Sequence, residues 1–152
     1  MTPQQQTALE ALVGRALTAE EVAELTPMVQ FRTLQAIANV LSVGRTKVVS
    51  HFASERGILE RFPGGPVAAD ALLAKLEAFA EAAQPLSRIT GRAIRFLRQP
   101  EGLDIGSPAT QAMLGAITQE AVITPEEFAG LRAMATRPDP ITDGQVAAAL
   151  GA

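Results

Sequence analysis

The chain has 152 residues, with thirteen Lys or Arg against sixteen Asp or Glu, one His and no Cys. That length suits a single domain burying roughly two-thirds of the surface its unfolded chain exposes, and the lack of Cys excludes a disulfide framework, a thiolate metal site and a cysteine nucleophile. Six Phe and no Trp or Tyr leave a core built from Ala-rich helices in close contact. The charge is uneven: residues 31–100 carry ten basic against five acidic side chains, while residues 1–30 and 101–152 are both acidic. Such asymmetry serves either a nucleic-acid surface or docking of the acidic ends of one copy on the basic middle of another.

The N-terminus, Met-Thr-Pro-Gln-Gln-Gln, has no basic start and no apolar run, and no window approaches the roughly 18–20 apolar residues of a membrane span. A soluble protein without a cleaved signal or a transmembrane segment is expected. Helix starts then recur along the chain. Thr2-Pro3, Thr26-Pro27, Ser107-Pro108 and Thr124-Pro125 each place a hydroxyl at an N-cap and Pro at the first helical position. Thr18 with Glu21 and Thr124 with Glu127 have capping-box spacing.

Apolar spacing predicts helices near 3–13, stopped by Gly14, then 19–25 and 27–41, the last with Phe31, Leu34, Ile37, Ala38 and Leu41 on one face. A short helix near 55–62 ends at Pro63-Gly64-Gly65. The next, near 66–83, carries a stripe of Leu72, Leu73, Leu76, Phe79, Ala80 and Ala83. Helices near 86–98, 108–118, 125–136 and 143–150 follow, and Thr46 to Ser50 has extended character. The expected fold is all-α, a compact single-domain bundle of about seven to nine short helices over residues 1–152, with candidate hinges near 99–106 and 137–141.

The segment Ile37 to Phe52 has two incompatible readings. As a helix-turn-helix, Leu41 and Val43 fill the turn, Val48 points inward from a second helix, and Arg45, Thr46, Lys47 and Ser50, with His51, face DNA. Against this, Ser42 stands where the turn usually has Gly, and Gly44 falls at the start of the recognition helix, at a cost of about 1 kcal/mol relative to Ala. In the other reading Ser42 to Gly44 is the stop of the long helix, with Gly44 as a left-handed cap. A second surface feature is Arg88, Arg92 and Arg95, spaced i, i+4, i+7, a candidate partner-binding ridge opposite Leu86, Ile89, Ala93 and Phe96. Its expected counterpart is the acidic set Glu120, Glu126 and Glu127, in a heterologous contact.

Enzyme chemistry finds no footing. His51 is the one His, which leaves no His-based catalytic pair or multi-histidine metal site. Asp139 and Asp143 read as turn and cap residues, and Gly64-Gly65 lacks the Lys-Ser or Lys-Thr of a phosphate loop. No catalytic residue, cofactor or metal is expected.

Four motifs remain: Leu41-Ser-Val-Gly-Arg-Thr-Lys47, Arg56-Gly-Ile-Leu59, Gly102-Leu-Asp-Ile-Gly-Ser-Pro108 and Arg137-Pro-Asp-Pro-Ile141. In this order and spacing the chain, from about Phe31 to Leu150, resembles a group of small, Ala-rich, uncharacterised proteins encoded among the virion-structure and tail genes of tailed bacteriophages. The resemblance implies a non-enzymatic virion or assembly component, at the tail or a head-tail accessory position. Its partners would be other virion proteins or copies of itself, and its assembly would occur in the bacterial host cytoplasm. It transfers no functional site. The alternative is a helix-turn-helix regulator reading DNA with residues 44–51.

Overall fold

The computed structural model describes residues 1–151. In chain order its elements are α1 (Pro3–Val13), α2 (Ala19–Gln30), α3 (Leu34–Ser42), β1 (Thr46–Val48), β2 (Phe52–Ala53), α4 (Glu55–Arg61), α5 (Pro66–Glu81), α6 (Pro85–Leu97), β3 (Leu103–Asp104), α7 (Pro108–Gln119), α8 (Pro125–Met134), β4 (Thr136–Pro138) and α9 (Asp143–Leu150). The described residues are mostly helical. Two small sheets qualify the all-α expectation: β1 pairs with β4, and β2 pairs antiparallel with β3 in the register Phe52↔Asp104 and Ala53↔Leu103. The chain divides into two compact units, Met1–Lys47 with Pro138–Ala152, and Val48–Arg137. The boundary after Arg137 falls within the segment read as a hinge near 137–141, and the segment 99–106 lies inside the second unit. No described helix is long and apolar enough to cross a membrane.

In the first unit, capping boxes start three helices: Thr2 with Gln5, Thr18 with Glu21, and Thr142 with Gln145. Gly14, at φ 78°, ends α1 as expected. Thr26-Pro27, however, does not open a helix. The chain stays helical from Ala19 to Gln30, with Pro27 inside, and the Thr26 hydroxyl donates to Val22 O. An interior Pro costs about 3 kcal/mol, but burying Leu25 and Val29 on either side of it stabilises by about 1.5–3 kcal/mol each, so the apolar stripe prevails.

The long helix expected over 27–41 breaks at Arg32. Thr33 N donates to Met28 O and Arg32 N to Val29 O, the paired bonds of a Schellman ending, with Arg32 at φ 53° in the place usually held by Gly. Phe31, expected on the core face, is therefore turned out and 74% exposed. The core of this unit is Leu9, Val13, Leu17, Leu25, Val29, Ile37, Ala38, Leu41, Ile141 and Val146.

In the second unit, the Ser54 hydroxyl accepts from Gly57 N to start α4, Ser107 caps α7, and Thr124 with Glu127 forms the expected capping box of α8. Within α5 the stripe Leu72, Leu73, Leu76 and Phe79 is buried; Ala83 lies beyond the helix and is exposed. These residues join Ile58, Phe62, Ile94, Leu97, Ile105, Leu114, Ile117, Ile123 and Leu131 in one core. The helix expected over 125–136 stops at Met134, and Thr136 begins β4.

Candidate functional site

Residues 42–47 make a corner and not a recognition helix. Val43 lies at φ −58°, ψ 124°, Gly44 at φ 71°, and Arg45 N donates to Ser42 O at 3.1 Å, which together define a type II turn. That turn needs a positive φ at its third residue, and this explains why Gly stands at 44 and not at 42. Beyond the turn, Thr46–Val48 is a strand, Ser50 and His51 lie outside any regular element, and Phe52–Ala53 is a strand again. The second helix of a helix-turn-helix, expected over residues 44–51 in that reading, is thus not formed. β-branched Thr46, Val48 and Val49 favour the extended chain observed.

Of the polar side chains of this corner, Ser42, Arg45 and Lys47 are engaged inside the first unit, and Thr46 is exposed. Ser42 Oγ donates to Ala38 O at 2.6 Å and accepts from Ile141 N at 2.8 Å. Arg45 donates from Nε to Asp139 O, from Nη2 to Asp139 Oδ2 at 2.9 Å, and from Nη1 to Val13 O at 2.8 Å. Val13 is the last residue of α1, so its carbonyl has no partner within the helix, and the guanidinium caps it. Lys47 Nζ lies 3.3 Å from Asp139 Oδ1. Hydrogen bonds from Arg45 and then Lys47 hold the Asp139 carboxyl below its ordinary range. Two of the sequence motifs, Leu41–Lys47 and Arg137–Ile141, thus meet through Ser42, Arg45, Lys47 and Asp139.

The second unit repeats the device with different residues. Asp104 accepts from Ser50 Oγ at 2.7 Å, His51 N at 2.9 Å and Gly106 N at 3.0 Å. The Ser50 bond is the largest of the influences that keep its carboxyl acidic. A Cβ on Gly102 would overlap the Ala53 carbonyl, and one on Gly106 would overlap Val49 O, so the motif Gly102–Pro108 needs its glycines for close backbone approach to residues 49–54. His51 is held mainly through its backbone. Its N–H is used by Asp104, its carbonyl accepts from Ile105 N, and Arg137 Nη2 lies 3.4 Å from Nδ1.

The ridge on α6 is a free surface. Arg88, Arg92 and Arg95 are all exposed, and among the described residues none has a carboxylate within 4.0 Å. The expected opposite face differs from the observed one. Ser87, Thr90, Ala93, Ile94 and Leu97 are buried, while Ile89 and Phe96 are each 50% exposed beside the arginines. Small side chains take the core face because α6 lies close to α5: a Cβ on Gly91 would sit 3.7 Å from Ala80 Cβ. Ile89 and Phe96, seven residues apart, then share the outer face with Arg92. Along the flank of the ridge runs an open groove of about 600 Å³, lined by Glu77, Glu81, Arg88, Arg95 and Arg98. Ser87 also lines it, and its buried Oγ has no hydrogen-bond partner. Arg98 differs from the ridge arginines, being tied to Glu55 and Glu77.

No group of three or more His, Cys, Asp or Glu side chains among the described residues is placed to hold a metal ion. The geometry defines a mostly helical protein with two internally braced corners and one basic-apolar outer face. No protein-family model, curated protein or solved structure matches the chain.

Proposed function

We propose that this protein is a non-enzymatic structural or accessory virion component of a tailed phage, at the tail or a head-tail accessory position, assembled in the host cytoplasm through protein-protein contacts. One observation carries the reading beyond the resemblance of its motifs. Ser42, Arg45, Asp104 and Asp139 of those motifs are spent on internal corners, whereas α6 presents three unpaired arginines together with exposed Ile89 and Phe96. A face of mixed apolar and cationic side chains suits protein docking: the apolar groups supply burial, and the guanidiniums select an acidic partner surface and fix its register. Mass spectrometry of purified particles of the encoding phage tests this. The chain should be present at fixed copy number, and Arg88→Glu with Arg92→Glu should lower that copy number at least about tenfold, as removal of steering and complementary charge predicts. Particles that lack the wild-type chain would overturn the proposal.

A further inference from the structure

The acidic surface that best complements the ridge is not the one expected from sequence. Glu127 belongs to the capping box of α8, accepts from Lys75 Nζ at 2.6 Å, and is largely covered, so it is not available to a neighbour. Glu120 and Glu126 are exposed and without a basic partner within 4.0 Å among the described residues, but α7 and α8 expose no large apolar side chain beside them. On α2, Glu20 and Glu24 are likewise exposed and, among the described residues, without a basic partner within 4.0 Å, and exposed Phe31 lies at the end of their helix. Glu20 and Glu24 stand i, i+4 on the same face that carries Phe31.

Each of these two helix surfaces holds a local frustration of opposite sign. Arg88 with Arg92 and Glu20 with Glu24 are like-charged pairs at i, i+4, an arrangement that destabilises an isolated helix. Each face also exposes a large apolar side chain to water beside its charges, Ile89 and Phe96 on α6 and Phe31 on α2. Apposing the two faces relieves both repulsions and covers the apolar groups in one step.

We infer that the α6 face of one copy docks on the α2 face of a second copy, a heterologous contact that propagates head to tail. The inference rests on the reading of the protein as an assembly component and names its partner as the chain itself. As inferred, each copy uses its α6 face on one neighbour and its α2 face on another, so the contact is not reciprocated across a two-fold axis. It builds either a ring or a filament, according to the rotation each step imposes. One helix face against another buries a few hundred Å², well under the roughly 1,200 Å² of a standard stable interface. A single contact is accordingly weak and salt-sensitive, and it gains strength from repetition within an assembly.

Sedimentation velocity from about 10 to 300 μM at low and high salt reads this out, since weak charged contacts separate at ionic strengths where the screening length falls below about 5 Å. The wild type should show concentration-dependent association that high salt reverses. Arg88→Glu with Arg92→Glu should weaken it at least tenfold, about the effect of juxtaposing like charges, and Glu20→Arg with Glu24→Arg should do the same. The equimolar mixture of the two variants should recover it, because each then offers the surface the other lost. All four positions are exposed, so the helical circular dichroism should be unchanged; Arg88→Ala with Arg92→Ala provides a second, milder pair. Wild type that stays monomeric throughout, or variants whose mixture fails to recover association, would overturn the inference. If such a monomer is still found in purified particles, the virion reading stands without the self-contact. Recovery in the mixture with no chain in particles keeps the self-contact and removes the virion reading.

Discussion

Arg45→Ala separates the two readings of the Ile37 to Phe52 segment most directly. The guanidinium donates to the Val13 and Asp139 carbonyls at 2.8 and 3.2 Å, and its side chain is 27% exposed. Each charge-assisted bond to a carbonyl contributes on the order of 1 kcal/mol net, and its loss leaves the terminal carbonyl of α1 without a partner, so truncation should cost about 2 kcal/mol. The ion pair to Asp139 is solvent-screened and adds little. For a unit of about sixty residues unfolding by itself, 2 kcal/mol lowers Tm by about 8–16 °C. Arg45→Lys should recover only part of this, because an ammonium cannot reach both carbonyls as a planar fork does. With neither Trp nor Tyr in the chain, far-UV circular dichroism is the natural assay. An unchanged Tm for Arg45→Ala, accompanied by loss of sequence-selective binding to duplex DNA, would refute the brace and restore DNA contact.

Gly106→Ala and Gly115→Ala should shift Tm in opposite directions. The first drives a methyl into the Val49 carbonyl and should cost about 3 kcal/mol, whereas the second meets only Phe128 at 4.0 Å inside α7 and should gain up to about 1 kcal/mol from helix propensity. Ser87→Ala should leave stability unchanged or raise it by about 1 kcal/mol, since the hydroxyl it removes is buried without a partner; a loss measured by the same melts would show that the groove hydrates or binds through Ser87. Acid should act through Glu21 and Asp104. Bonds from Arg15 and Thr18 N bring the Glu21 carboxyl from 4.5 to about 2, so its contribution is complete above pH 4.5 and is lost as pH falls toward 2. Asp104, also lowered, acts in the same direction below the ordinary aspartate range. Urea titrations between pH 6 and about pH 2.5 should therefore show a falling midpoint that Glu21→Gln and Asp104→Asn each flatten; equal slopes in all three proteins would contradict the assigned carboxylate bonds.

The helices were legible because their starting signals are local. A Thr or Ser at the N-cap, Pro behind it and Glu three residues on act within one turn, so Thr18, Ser107 and Thr124 could be read without knowledge of the rest of the chain. Thr26-Pro27 misled for the same reason. Local grammar favours a start there, but the buried stripe through Leu25 and Val29 is continuous across it, and burial outweighs the missing hydrogen bond. The end of α2 was illegible because its left-handed position is held by Arg32, and an Arg carries none of the signal that a Gly does.

The candidate site divides along the same line. The sequence by itself determined that the protein is mostly helical, that it lacks cysteine chemistry and a second histidine, and that Arg88, Arg92 and Arg95 share one helix face, since composition and helical spacing are properties of short windows. Only the tertiary structure decided which charges are free. It joined Arg45 to Asp139 across 94 positions and Ser50 to Asp104 across 54, turned Ile89 and Phe96 outward beside the ridge, and committed Glu127 to Lys75. A basic side chain has sixteen acids to choose from in this chain, and the choice is made by the packing of apolar residues that lie far from each in sequence.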